Sequence, residues 1–475
     1  MPWPGYRRYP VCGQIFLPSR ALFPIIWAMK HGNFAPSVKA QYEIFPYPLR
    51  DPEQEKHHLY IPVLDALDVL NYYGFAGRRD FSRDFRVLVA GCGTGDSAIA
   101  LAEQLRDSAA TVTCLDLSEA SLAIARRRAQ VRGLDNIQWM QASLLDLPQM
   151  GLGQFDYINC SGVLHHLDSP PEGLRALVEV LADDGVLGLM LYAAYGRVGV
   201  YQMQALMRFI NEGIADPGKK IANTLKIIDT LPERHAFKQS MDIYGQEIQA
   251  GPSGIYDLLL HSHDRAYTIP QLYEFLEGGG LHMVRLFNEL SYRPETYIRD
   301  PGLLGAVQQL PPPSRYAVGE LLHGKLCQHT AYAAKSPRQP PSPMDMEDMV
   351  PTLAFIYDQA TYEAFYRLCE DSRDHIVFRM PGGDDLSIAI PRTPHVALIM
   401  KHIDGRRTLA EVFARVRAER PAAPPSDSQL LAEFRPLFDA MHASHAMLLR
   451  HRDVPPMPSR DQMQQRVSAR HGGGA

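Results

Sequence analysis

Apolar positions in the first half of the chain alternate between short continuous runs and stretches with helical spacing. Ile61, Leu64, Leu67, Leu70 and Tyr73 recur at three-residue steps, which predicts a helix with one face on a core. The run RVLVA, from Arg86 to Ala90, then empties into a turn with glycines at Gly91, Gly93 and Gly95 and continues into the helix-compatible DSAIALAEQL. A second run, TVTCLDLS from Thr111, reaches Asp116 and leads into a helix with Ser118 as its cap and Gly133 at its stop. IQWMQAS from Ile137, FDYINCSG from Phe155 and GVLGLMLYA from Gly185 read as further strands. Between the last two lies SPPEGLRALVEVLADDG, with Ser169 and Glu172 at capping-box spacing. Such alternation calls for an α/β fold, a doubly wound parallel sheet with helices on both faces.

Residues 196–267 break the pattern. Val200, Met203, Leu206, Met207 and Ile210 share one helical face, and a second helix is expected over Lys219 to Thr230. Thr268 and Gln271 then open a helix that ends in glycines, and LHMVRLFNEL reads as a strand. The sheet domain is therefore expected over 60–295 with a helical insertion at 196–267. Ligands of such sheets lie beyond the carboxyl ends of the strands, where the insertion can cover them. Residues 1–59 form an amino-terminal arm whose segment 37–59 mixes tyrosines, phenylalanines and prolines, suited to packing or to capping a cleft. Residues 296–334 read as a helical extension and the Pro- and Met-rich 335–350 as a linker. A small α+β accessory domain over 351–452 follows: a helix, two strands around PGGDD, and helical segments from His395 to Leu449. Residues 453–475 read as a disordered tail.

Composition narrows the class without naming the chemistry. The 475 residues suggest two or three domains, and 46% hydrophobic with 21% charged residues is ordinary for a globular protein. A net charge of −5 does not suit a broad nucleic-acid footprint. The six cysteines, at 12, 92, 114, 160, 327 and 369, have no C-x-x-C spacing, which argues against a zinc site or a disulfide framework and for a reduced, cytoplasmic setting. Residues 14–29 are apolar, but Pro18, Arg20 and Pro24 interrupt them, so no membrane span is expected there. The globular pattern begins after Met29, a candidate translation start.

The glycine turn separates two nucleotide chemistries. A nicotinamide or flavin site uses G-x-G-x-x-G, but the residue three beyond Gly93 is Asp96, and the spacing is G-x-G-x-G. Asp116, at the tip of the second strand, can accept two hydrogen bonds from ribose hydroxyls. With VLVAGCGTG, CLDLS and FDYINCSGVLHHLDSPPEGLRALVEVLADDGVLGLMLY in order, the chain resembles the class I S-adenosylmethionine-dependent methyltransferases over about 60–195, and again over 268–290. The resemblance implies a Rossmann-like sheet of the seven-stranded type and S-adenosyl-L-methionine as cofactor. It implies methyl transfer by in-line displacement to a small molecule or a polypeptide.

Carried onto this chain, the cofactor-binding positions are Ala90, Gly91, Cys92, Gly93 and Gly95 in the turn, Asp116 and Leu117 at the second strand, Ser143 and Leu144 after the third, and Cys160 at the end of the fourth. Ser143 stands where similar enzymes often carry an aspartate, with Asp146 as the nearby carboxylate. Cys160 suits a buried packing role better than a nucleophile's, since methyl transfer needs no covalent enzyme intermediate. His165 and His166 fall at the cleft mouth, where each could position a substrate or accept its proton, or simply bond backbone. His261, His263, Asp264, Arg265 and Tyr267 are the densest polar cluster, with His263 as candidate base and a solvated loop as the alternative. No metal is expected, because the histidines lack H-E-x-x-H spacing.

Residues 375–450, with IDGRRTLAEVF, are similar to the small PqqD-like winged-helix domains, which bind peptides in peptide-modifying systems. A packing or dimerisation role is the alternative, and LLAEFRPLFDAMHASHAMLLR has few basic side chains for DNA. Two rival readings follow: a peptide or protein side-chain methyltransferase recruited through this region, and a non-catalytic cofactor-binding scaffold.

Overall fold

The computed structural model describes residues 35–354, 359–379 and 387–472. The apolar stretch 14–29, the candidate start Met29 and the PGGDD turn lie outside the described residues. Eight strands build the main sheet: β1 (Arg86–Ala90), β2 (Thr111–Asp116), β3 (Ile137–Gln141), β4 (Phe155–Ser161), β5 (Leu181–Ala193), the short β6 (Ala266–Tyr267), β7 (His282–Leu286) and β8 (Gln328–Ala334). Their order is β3-β2-β1-β4-β5-β8-β7, with β6 added to the end of β5. Strands β1 to β5 are parallel, and β8 runs antiparallel between β5 and β7.

The two faces of the sheet feed two cores through the period-two alternation of each strand. Val87 and Val89 of β1 join one core, whereas Leu88 and Ala90 join the other with Leu187, Leu189 and Leu191 of β5. The helix Glu119–Arg132 starts on Ser118, whose hydroxyl accepts from Ser121 N, and stops at Gly133 with φ 66°, as its sequence predicts. Ser169 behaves otherwise. Its side chain makes no capping bond, and the helix Pro170–Val180 is entered through a proline instead.

Strand β8 corrects the expected helical extension. Gln328–Ala334 reads QHTAYAA, and its alanines favour a helix in isolation. Small residues are also what fits a slot buried on both faces between β5 and β7, and the tertiary slot overrides the local preference. The insertion holds the helices Val198–Ile210, Pro217–Thr230, Met241–Gln249 and Pro252–Leu259, around a small core that includes Met203, Met207, Phe237 and Leu258.

The carboxyl-terminal region contains β9 (Met349–Leu353), the hairpin of β10 (His375–Arg379) and β11 (Ser387–Pro391), and β12 (Met447–His451), which pairs with β9. It is not tethered by a free linker. Pro341 is buried, its carbonyl accepts from the Tyr72 hydroxyl at 3.4 Å, and one apolar cluster runs from Leu70 and Val87 into Phe413 and Phe434. Residues 460–472, expected to be disordered, form the helix Arg460–Gly472. Two apolar side chains, Met463 and Val467, anchor it, too few to stand out in a polar sequence. Among the described residues no helix is long and apolar enough to cross a membrane.

Candidate functional site

The glycine turn after β1 is shaped by backbone demands. Gly91 and Gly95 have φ of 78° and 100°, and a Cβ at Gly91 would stand 2.4 Å from Val163 Cγ2. The Gly93 amide donates to Asp116 Oδ2 at 2.7 Å, and the Ser118 amide donates to Asp116 Oδ1 at 2.9 Å. Burial raises the proton affinity of Asp116 and these backbone donors oppose it. A carboxylate offers about four lone-pair positions. Two are committed to the turn, so the group is held rigidly with acceptor capacity left for hydroxyls.

The other predicted cofactor positions lie on β1 and β4 and in the segments that follow β1, β2 and β3. Ala90 and Leu117 flank the turn and Asp116 in the chain, and the Cys92 amide donates to the Leu115 carbonyl at 3.0 Å. Ser143 caps the short helix Leu144–Gln149, its hydroxyl accepting from Leu145 N at 3.2 Å. Leu144 is buried and Asp146 exposed. Burial pushes the Cys160 thiol up to about 12, which suits packing and not nucleophilic attack.

Beyond the end of β4 the chain builds a stack of rings. His165 lies 3.9 Å from the Tyr192 ring, and the Arg197 guanidinium lies 3.5 Å from the same ring, necessarily on its other face. His166 stacks on His261 at 4.0 Å and meets His165 edge-on at 4.3 Å. Arg197 is closed off by an ion pair to Asp264 at 2.9 Å, with side chains 3% and 1% exposed. Burial holds His166 down to about 4, and His165 and His261 well below the ordinary histidine range. The three rings are therefore neutral at pH 7.

Neutrality fixes the proton positions. His166 Nδ1 faces the His263 carbonyl at 2.9 Å, an acceptor only, so Nδ1 carries the hydrogen and Nε2 is bare. His165 Nε2 must then donate to His166 Nε2 at 3.1 Å. This leaves His165 Nδ1 as a buried lone pair with no hydrogen-bond partner among the described residues. On the other side, His261 Nδ1 accepts from His263 N at 3.1 Å, so its Nε2–H points at the Tyr42 oxygen, 3.3 Å away. The Tyr42 hydroxyl donates in turn to Asp257 Oδ1 at 2.9 Å.

Sequence reasoning grouped His165, His166 and His263 as candidate bases, and the structure separates their roles. His165 and His166 meet in the stack, whereas His263 enters it through its backbone carbonyl and amide. The groups it missed are Tyr42, Tyr47, Asp257, Glu247, Tyr192 and Arg197. For Tyr42 and Tyr47 the signal was the aromatic and proline-rich arm; the other four carried none along the chain. Helix Ala35–Ile44 and the segment after it bridge the insertion and the glycine turn: Tyr47 donates to Glu247 Oε2 at 2.6 Å, Phe45 stacks on Tyr256 at 4.8 Å, and Thr94 Oγ1 donates to the Pro48 carbonyl at 2.6 Å. Glu43 accepts from the Glu119 and Ala120 amides, which fastens the arm to the helix that follows Asp116. Among the described residues no group of histidine, cysteine and carboxylate side chains is arranged to hold a metal ion.

Residues 88–187 match the protein family described as a methyltransferase domain, a span that runs from β1 into β5 of the sheet. Residues 88–187 form a methyltransferase domain. The positive-φ glycine turn with the anchored Asp116 fits S-adenosylmethionine as the cofactor of such a domain. An uncharacterized protein of Synechococcus sp. is 32% identical to this chain over 262 residues, 53% of this chain and 60% of the relative, so the chain spans about three-fifths of that relative's length. The ubiquinone biosynthesis O-methyltransferase of Escherichia coli O7:K1 is 26% identical over 187 residues, 38% of this chain and 76% of that protein. PKMT2 from Rickettsia typhi, solved in complex with AdoHcy, shares the fold with a TM-score of 0.59 and 14% identity, over 83% of this chain and 77% of its own.

Proposed function

We propose that the protein transfers a methyl group from S-adenosylmethionine, by in-line displacement, to a nucleophile on a small molecule or polypeptide held under the arm and the insertion. The observation that carries this reading is Asp116, fixed at the end of β2 by the Gly93 and Ser118 amides beside the positive-φ turn. Gly91, Gly93 and Asp116 would hold the cofactor, with Leu117, Ser143 and Leu144 beside its base and Ala90, Cys92, Gly95 and Cys160 beside its methionine end. Bound there, it supplies an activated sulfonium methyl, so the chain's own residues have to orient an acceptor and exclude water.

The neutral histidines suit that task. His165 Nδ1 is a lone pair that can take a hydrogen bond from an acceptor group, while His166 fixes the tautomer of His165 and His261 orients the Tyr42 hydroxyl. Isothermal titration calorimetry with S-adenosylmethionine and S-adenosylhomocysteine, with NAD as control, tests the reading. We expect the first two to bind and NAD not to. In Asp116→Ala the loss of hydrogen bonds to a charged group lowers affinity at least about tenfold, from roughly 1.5–3 kcal/mol. No binding by folded wild-type protein would leave the non-catalytic scaffold as the better account.

A further inference from the structure

One cavity shares no lining residue with the predicted cofactor positions or the ring stack. It encloses about 640 Å³ where helix Leu67–Gly74, β9, the turn after helix Val396–His402, β12 and the start of the tail helix come together. Three of its arginines, Arg406, Arg450 and Arg460, form no ion pair with a carboxylate among the described residues. Arg450 is held by backbone carbonyls instead. Its Nη1 donates to the carbonyls of His451, at 3.2 Å, and Val454, and its Nη2 donates to the Gly405 carbonyl at 2.8 Å, which engages three of a guanidinium's five donors. Its Nε is shielded from water and has no acceptor among the described residues. Burial lowers the proton affinity of Arg450, and no acid opposes that shift. Arg460 is fixed in the same manner: its Nη2 donates to the Leu59 carbonyl at 2.9 Å and meets the His58 ring at 3.2 Å. Arg406 is exposed. Each acid that shares the cavity has another role. Asp404 accepts from the Arg406 and Arg407 amides at 2.9 Å and pairs with Arg407 at 3.1 Å, and Asp68 Oδ1 accepts from the Val69 amide at 2.8 Å. Asp461 sits in the first turn of the tail helix, where a carboxylate suits the helix dipole. Lys401 is taken by Glu419 at 3.1 Å. Three arginines then stand against Asp68 and Asp461, an excess of one positive charge.

Apolar side chains share the lining. Ile403 and Leu449 are buried, and Leu353 and Met457 half-buried. Small-molecule sites commonly take this form, a concave space of roughly 300–1,000 Å³ with apolar walls and a few fixed polar groups. The two kinds of wall ask for two kinds of group in one ligand. A guanidinium that is fixed, has unused donors and lacks a counter-ion calls for an anion whose oxygens can accept from neighbouring N–H groups. The apolar side chains call for a hydrocarbon body. A carboxylate carried on a hydrocarbon meets both demands, whereas an alcohol brings no charge, an ammonium adds to the positive excess, and a bare inorganic anion leaves the apolar walls wet. We propose that this cavity binds a small amphipathic carboxylate, with the carboxylate among Arg406, Arg450 and Arg460 and the hydrocarbon against Ile403, Leu449 and Met457. The inference is independent of the methyltransferase reading and involves no covalent step. Such a ligand touches the carboxyl-terminal region, the tail helix and helix Leu67–Gly74 of the sheet domain at once, so it stabilises the folded chain by mass action.

The test uses the full chain and 4-phenylbutyrate as the probe, with 4-phenylbutan-1-ol, 4-phenylbutylammonium and acetate at equal ionic strength. We expect 4-phenylbutyrate alone to raise the thermal midpoint in a saturable way, and the concentration for half the effect to rise at least fivefold in Arg450→Gln. Saturating S-adenosylhomocysteine should leave that concentration within twofold. In protein with carbon-13 in its methionine methyl groups, the Met457 signal, assigned through Met457→Leu, should move with the probe while that of Met203 in the insertion stays. If Arg450→Gln does not fold, a chain with both Arg406→Gln and Arg460→Gln serves, and the same fivefold loss is expected. An equal response to the alcohol or the ammonium overturns the proposal by removing the need for a carboxylate, and an equal response to acetate does so by removing the need for the hydrocarbon. An unshifted half-effect concentration in the folded variant, an unmoved Met457 signal or competition from S-adenosylhomocysteine places the probe elsewhere and overturns it as well. So does the absence of a saturable response to 4-phenylbutyrate.

Discussion

At the scale of single residues, the candidate site keeps groups in protonation states that the bare fold would not choose. Asp257 illustrates the cost. Its folded proton affinity is raised, so the group favours the folded state fully below the ordinary 3.8, and that contribution is lost as pH rises towards about 7. The interval corresponds to roughly 4 kcal/mol, an order-of-magnitude figure. The buried His165, His166 and His261 have the opposite sign: their folded proton affinities are lowered, so stability falls as pH drops below the ordinary histidine value of 6.5. We therefore expect ligand-free Asp257→Asn to gain stability over wild type at pH 8 and to lose that advantage by pH 4, in denaturant titrations at both values. An advantage that did not change with pH would show that Asp257 is not a buried ionised group. Gly91 argues the converse case. Ala there meets Val163 and an unfavourable φ together, so Gly91→Ala should cost about 2–4 kcal/mol and weaken S-adenosylhomocysteine binding, by thermal melt and calorimetry.

At the scale of elements, the arm and the tail helix hold the sheet domain from outside it. Glu55, just after the arm's bridging segment, is buried against Arg128 at 2.7 Å and against Arg132, while Arg132 also meets Glu103 at 3.5 Å. Arg132 donates to Gln464 of the tail helix at 3.3 Å, so one buried guanidinium links both ends of the described chain. Removing the carboxylate leaves two buried cations short of their partner. Glu55→Ala should lower unfolding free energy by about 3 kcal/mol, measured by denaturant titration, and a loss under about 1 kcal/mol would mean that water replaces the carboxylate. None of this network was legible in the sequence. Strand–turn–helix units and their caps are local, and β1 to β5, Asp116, Ser118 and Gly133 fell where the pattern placed them. Glu55, Asp257 and β8 depend on partners 73, 215 and 136–146 residues away, which no spacing along the chain encodes. The histidine pair at 165 and 166 was legible because it follows a strand end. The link from Tyr42 to Asp257 was not, because it joins residues from the arm and the insertion.

At the scale of the whole molecule, the carboxyl-terminal region is part of the fold that carries the site. Tyr73, on the helix Leu67–Gly74, contacts His442 at 2.8 Å and His445 at 3.1 Å through its hydroxyl, and the His451 amide donates to the Gly77 carbonyl at 2.9 Å. A Cβ on Gly77 would stand 2.7 Å from the Leu449 carbonyl, so β12 presses against the turn that precedes β1. The same helix lies over the sheet core with Leu70 and Tyr72 buried. Recruitment of a polypeptide acceptor through this region would suggest a simple truncation test, in which deletion of residues 340–475 spares cofactor binding. The shared core removes that test. A chain ending at residue 340 would expose Leu70, Tyr73 and Phe287 together, and each buried aromatic or leucine side chain accounts for roughly 1.5–3 kcal/mol, enough in sum to exceed the stability of an ordinary domain. We expect that fragment to aggregate or to bind a hydrophobic dye without a cooperative melt, and to bind no S-adenosylhomocysteine, whereas the full chain melts in one transition. A fragment that melted cooperatively and bound S-adenosylhomocysteine with full-length affinity would establish the sheet domain as an independent body and restore truncation as the way to isolate the role of the carboxyl-terminal region.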